Sequence, residues 1–238
     1  MANKTDAGNG SKAICRVSNV LRSPSPDPRR SSRNQASEHH ATMNKIDSSN
    51  LASAPRGYSH MVDTQRISEI RMCGDVEFLP TPMIERRTDF EALACFPDLQ
   101  PFATSAGGDL WCWSTSLSGD QPRIFYVEYW GSSRPYAPSF ETFLYRTCLE
   151  DASGRWLNDE DELREKIRTI SAILRELDQP ELASDMEDTS NLAYHDTGTD
   201  EHKRLGIISW GMLSVEQCRE RIATYLGTEY LDEYEGNV

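Results

Sequence analysis

Hydrophobic spacing divides this chain into three stretches. Up to about residue 62 there is no apolar period: Ser, Asn, Arg and Pro dominate "RSPSPDPRRSSRNQASEHH". Such a segment cannot bury enough apolar surface to offset the entropy of ordering it. Residues 1–62 are therefore expected to form a disordered basic tail. Starting translation at Met43 or Met61 would remove no recognisable element. From 63 to 138 the pattern is mainly alternating, and from 139 onward it becomes helical.

The alternating stretch predicts strands. "RISEIRMCGDVEFLP" reads as two short extended segments around the turn dipeptide Gly74-Asp75. "RRTDFEALACF" fits one or two helical turns, capped by Thr88 or Asp89, with Phe90, Leu93 and Ala94 on one face. "LQPFAT" is a strand, "SAGG" a turn and "DLWCWST" the return strand. Leu110, Cys112 and Ser114 then face one way, and Trp111, Trp113 and Thr115 the other, so this strand should be covered on both sides. "RIFYVEYW" is the strongest strand, dense in β-branched and aromatic residues. Its Ile124, Tyr126, Glu128 and Trp130 alternate against Phe125, Val127 and Tyr129.

The period then changes. Ser139 is placed as an N-cap, with Phe140, Phe143 and Leu144 on one helical face. "NDEDELREKIRTISAILRELDQP" is a second helix, capped by Asn158 or Asp159, with carboxylates in its first turn and Pro180 just past its end. Its stripe of Leu163, Ile167, Ile170, Leu174 and Leu177 is expected to dock on its own domain. "LASDMEDTSNLAYHDTGTDEHKR" reads as a polar loop and "GIISWGM" as one more strand. In the last helix Ser214 and Gln217 form a capping box, Leu213 and Cys218 a hydrophobic staple, and Gly227 the stop. The sum is an α+β fold: an antiparallel or mixed sheet of four to six strands with flanking helices, behind a disordered N-terminal tail. The expected regions are a tail (1–62), an α+β domain (63–150) and an acidic helical extension packing on it (151–238).

Charge sharpens this division. The 238 residues carry a formal −13, yet residues 1–60 hold nine Lys/Arg against four Asp/Glu, or +5. The remainder holds 16 basic and 34 acidic residues, or −18. An acidic body repels nucleic-acid phosphate and anionic membrane surfaces and attracts a basic protein. No apolar run reaches the length of a membrane span. The six cysteines lack C-x-x-C spacing and are expected as reduced, mostly buried thiols in a cytoplasmic protein.

Candidate chemistry is sparse. Phosphate loops place glycines between a strand and a helix, whereas Gly107-Gly108 leads into a strand and suits a hairpin corner. No G-x-S-x-G occurs, and a Cys112 nucleophile would sit between two tryptophans without a histidine. "HDTGTDEH" (195–202) gathers two histidines and three carboxylates, the basis for a rival reading as a metal-dependent hydrolase. Its spacing matches no metal-site pattern, so no metal, cofactor or catalytic residue is assigned. The expected function is surface recognition of a basic partner, using Asp109, Trp111, Glu128, Tyr129, Trp130 and Tyr136.

The ordered set "PFATSAGGDLWCW", "PRIFYVEYW" and "PSFETFL", spanning Phe102 to Leu149, resembles the C-terminal half of the SUKH superfamily domain. That superfamily includes fungal cell-wall assembly regulators and bacterial immunity proteins that neutralise polymorphic toxins. The resemblance implies an α+β fold without catalysis. Its implied role is an immunity-type protein that binds and blocks a toxin domain, with a regulatory adaptor as the alternative. The N-terminal helix usual in the superfamily has no visible counterpart ahead of this span.

Overall fold

The computed structural model describes residues 54–70, 76–79, 87–116, 121–154, 159–198, 204 and 209–231. The expected tail up to residue 53, the Gly74-Asp75 turn and His202 lie outside the described residues. A five-stranded antiparallel sheet runs in the order β1 (Glu77–Phe78), β2 (Leu99–Thr104), β3 (Leu110–Ser114), β4 (Ile124–Val127) and β5 (Ser133–Ala137). Helices α1 (Arg56–Asp63) and α2 (Phe140–Ala152) lie on one face. Beyond α2 stack α3 (Glu160–Glu176), α4 (Pro180–Ser190) and α5 (Val215–Tyr225), and a two-stranded ribbon pairs β6 (His195–Asp196) with β7 (Trp210–Gly211).

Strand alternation sorts the sheet residues into two apolar layers. Trp111, Trp113 and Ile124 join the helix-side core with Phe140, Phe143 and Leu144. Leu110, Cys112 and Val127 face the other way, under Leu93, Phe90 and Phe96. All five residues of β3 are buried, as a strand covered on both sides requires. Two irregularities refine the pattern. The β2–β3 register skips Phe102, and the β4–β5 register skips Tyr136. Each bulge lets consecutive residues face the same layer, and each thereby adds an aromatic ring to the helix-side core.

The cover over the opposite face is two 3₁₀ turns, Arg87–Asp89 and Glu91–Leu93, in the stretch expected to be helical. Short turns leave carbonyls unpaired, and the Arg87 guanidinium gathers three of them. Its Nε donates to Leu99 O at 2.8 Å, and its Nη2 to Leu93 O at 2.7 Å and to Phe96 O.

Five expectations need correction. Helix α1 falls inside the span assigned to the tail and buries Tyr58, Met61 and Val62, so a start at Met61 would remove half of it. Arg66–Ser68 is a 3₁₀ turn rather than an extended segment. β4 stops at Val127, and the chain turns at Glu128–Gly131 before β5, a strand that helical spacing did not suggest. Residues 180–190 are α4 rather than loop, because Pro180 opens a helix at its first turn instead of closing the one before. Finally, Cys95 is disulfide-bonded, whereas Cys112, Cys148 and Cys218 are the buried free thiols expected.

The helical signals otherwise hold. Ser139 accepts from Thr142 N–H in a capping box, and Asp159 accepts from Asp161 and Glu162 N–H. Leu163, Ile167, Ile170 and Leu174 are buried against the rest of the chain, so the stripe is spent internally. Ser214 and Gln217 form the second capping box, with Leu213 and Cys218 fully buried beside it. Ser214→Ala removes one reciprocal cap and is expected to lower stability by about 1 kcal/mol, read from the urea midpoint at unchanged slope.

Sheet and extension share one core, reaching from Tyr58 to Tyr230. Polar ties reinforce the seam. Tyr145 O–H donates to Asp185 at 2.7 Å, and Arg221 donates to the same carboxylate at 2.6 Å. The buried Lys166 ammonium meets Asp151 at 2.7 Å. The ribbon is pinned to the end of α2 by Met212 and Leu213 N–H, both donating to Ala152 O. Gly211 is needed there, since a Cβ would run into Ala152 O and the Gly154 backbone.

Candidate functional site

Antiparallel order brings the β2–β3 and β4–β5 turns to the same end of the sheet. In the first, Gly108 adopts φ 87°, and its N–H donates to Ser105 O at 3.0 Å. This is the hairpin corner expected of the glycine pair. In the second, Gly131 adopts φ 84°, and its N–H donates to Glu128 O at 2.8 Å. Both geometries favour glycine because side chains with a Cβ rarely reach positive φ.

Asp109 clips the two turns together. One carboxylate oxygen accepts from Tyr126 O–H at 2.6 Å and from Ser105 O–H at 3.3 Å. The other accepts from Tyr129 N–H at 2.9 Å. Ser105 Oγ in turn accepts from Asp109 N–H at 3.1 Å. The Tyr129 ring closes over Gly108, where a Cβ would fall 3.0 Å from Cδ2. Glu128 is held by Ser132 O–H and by Arg134 at 3.3 Å, and the Arg134 guanidinium lies 4.4 Å above the Tyr126 ring.

This scaffold leaves two rings in water. Trp130 is 80% exposed and Tyr129 57%, meeting edge to face at 5.2 Å. Neither turn carries a histidine or a buried nucleophile. The site offers a rigid aromatic prominence with carboxylates behind it, suited to contact rather than to bond-making.

Of the six residues expected to form the contact surface, Asp109, Glu128, Tyr129 and Trp130 converge here. Trp111 and Tyr136 do not. They are core residues, packed edge to face with each other at 6.2 Å and against Phe143. Trp111 leaves the surface through strand alternation and Tyr136 through the bulge in β5. Sequence reading missed Arg134, Ser105 and Ser132, which brace the corner. The Gly131-Ser132 dipeptide was the available signal, since it marks the turn that ends β4.

The alternative chemistries find little in the structure. Burial pushes the Cys112 thiol far above its ordinary range, against a weaker opposite pull from Arg87, so it is no nucleophile at neutral pH. His195 and Asp196 form the exposed strand β6, where His195 Nδ1 pairs with Ala193 O. Among the described residues no three His, Cys, Asp or Glu side chains converge on a metal-sized site. None of the described helices is long and apolar enough to cross a membrane.

Comparison with known proteins points the same way as the geometry. Residues 52–146 match the model of the SMI1 / KNR4 family (SUKH-1). The match begins just ahead of α1 and ends within α2, so it includes the helix that lay inside the expected tail. No curated protein and no solved structure matches the chain. With the glycine-cornered hairpins, the aromatic strands and the Ser-capped phenylalanine helix in the order anticipated, the unit built by residues 52–146 is a SUKH superfamily domain.

Proposed function

We propose that this protein is a non-enzymatic interaction module of the immunity type, which binds and blocks a basic toxin domain through the Tyr129–Trp130 corner. One observation carries the reading. Two large aromatic rings are held in water by a purpose-built clip, on a body whose residues 61–238 carry −18. Exposed tryptophan on a rigid turn is costly unless a partner covers it, and aromatic anchors dominate interface energetics. The carboxylate-rich surface supplies long-range attraction and fast encounter with a cationic protein. A toxin that acts on nucleic acid presents such a surface at its phosphate-binding cleft. The adaptor reading through the leucine stripe of α3 loses support, because that stripe is already buried.

Titration calorimetry of the full chain against the purified toxin domain encoded beside its gene tests this. Binding is expected to weaken steeply as salt rises from 50 to 500 mM. Trp130→Ala is expected to raise Kd by about 30-fold, equivalent to about 2 kcal/mol at a hot spot, without moving the urea midpoint. Salt-indifferent binding, or unchanged affinity in both Trp130→Ala and Tyr129→Ala, would overturn it.

A further inference from the structure

A second aromatic surface lies on the β6–β7 ribbon, away from the corner. Trp210 is the remaining exposed large hydrophobic among the described residues, at 41%. It pairs directly across the ribbon with Asp196, which is also exposed. Directly opposed residues in an antiparallel pair project from the same face. Tyr194, two residues before Asp196, shares that face and stacks on the Trp210 ring, with centroids 5.8 Å apart and planes inclined by 26°. Asp196 Oδ1 accepts from Gly198 N–H at 2.9 Å, which fixes the carboxylate beside the rings. The segment is tied to α3 by Arg164, which donates to Leu192 O at 3.0 Å and to Glu160 at 2.6 Å. Burial first, then the charges of Asp159 and Glu160, hold the Tyr194 hydroxyl above the ordinary phenol range.

We infer that the Trp210–Tyr194 stack with Asp196 is a receptor for an arginine side chain of the partner, an inference that rests on the basic-partner reading above. A guanidinium is planar, stacks on an indole face and pairs with a carboxylate at its edge, and this ribbon presents both elements in register. Lysine offers only a point charge and gains less from the flat ring. Charge complementarity selects this occupant: the platform carries Asp196 and lies near Asp159 and Glu160, within an acidic body.

The test follows the indole N–H signals of the full chain by NMR, with a hexa-arginine peptide as probe at low salt. The Trp210 signal should shift saturably while those of buried Trp111 and Trp113 stay fixed. Hexa-lysine should bind more weakly. Trp210→Ala is expected to weaken hexa-arginine binding by roughly two- to fivefold, the scale of an exposed cation–π contact. Asp196→Asn preserves shape and the bond from Gly198, so it should weaken binding without disturbing the ribbon. A stationary Trp210 signal, or unchanged affinity in both variants, would overturn the inference. Trp130→Ala should leave hexa-arginine binding intact. A toxin domain that loses affinity with Trp130→Ala but not with Trp210→Ala would sink the arginine receptor and leave the corner standing.

Discussion

Arg146→Ala should destabilise the fold by about 3–5 kcal/mol, the usual cost of stripping one partner from a buried ion pair. Arg146 Nε donates to Glu150 at 2.9 Å, and its Nη1 donates to Tyr136 O at 2.6 Å and to Tyr230 O at 3.0 Å. Tyr136 O–H completes the loop to the second Glu150 oxygen at 2.9 Å, and the guanidinium lies 4.1 Å above the Tyr136 ring. One side chain thus joins β5, α2 and the final 3₁₀ turn, Thr228–Tyr230. Its removal leaves a buried carboxylate with less to balance it. Arg146→Lys should recover only part of the loss, because an ammonium cannot span the fork. The double replacement Arg146→Met with Glu150→Leu should be milder than Arg146→Ala, since the orphaned charge goes too. Urea unfolding of the three variants checks the order. A double variant worse than Arg146→Ala would show that the network contributes more than its charge balance.

Phe102→Ala is expected to cost a similar 3–5 kcal/mol for a different reason. Phe102 is fully buried, stacks on Trp113 at 5.5 Å and meets Phe143 edge to face at 5.0 Å. It also contacts Tyr58, Phe78 and Phe140, at centroid distances of 5.8, 6.3 and 5.8 Å. Five rings from α1, β1, β3 and α2 converge on this one residue, and they cannot all collapse into the space it leaves. The loss should appear as a lower urea midpoint, with Phe102→Leu recovering most of it. A Phe102→Ala variant within 1 kcal/mol of the parent would mean that these rings repack freely.

The parts of the fold that were legible in the sequence are those where local chemistry and tertiary packing agree. Ser139, Asp159 and Ser214 cap the helices they were expected to cap, because the side-chain hydroxyl or carboxylate answers a need of the helix itself. The two faces of β3 were readable from strict alternation. What escaped depends on context. β5 contains Pro135 and only one large apolar ring, and it is a strand because it lies at the sheet edge, where a missing N–H is tolerated. α4 was hidden because Leu182, Ala183 and Met186 are diluted by carboxylates on its outer face. α1 offers only Tyr58, Met61 and Val62, and their burial is decided by the aromatic layer beneath them.

The candidate site was half legible for the same reason. Alternation places Glu128 and Trp130 on one side of an imagined longer strand and Tyr129 on the other. The turn at Gly131 instead gathers them at one tip. The clip by Asp109 crosses from one hairpin to the next, over 17 residues to Tyr126 and 20 to Tyr129, and no local pattern announces it.

The single core has a practical outcome for anyone preparing this molecule. The matched span stops in the middle of α2, right at Arg146. A recombinant piece trimmed to residues 52–146 would sever that helix and discard Tyr230, one of the arginine's acceptors. It would also leave the outward side of Tyr145 bare where Tyr225 and Asp185 now cover it. Such a fragment is a poor surrogate in binding assays, because sticky behaviour caused by the cut would masquerade as affinity. Reliable measurements call for material that continues through Leu231 at least.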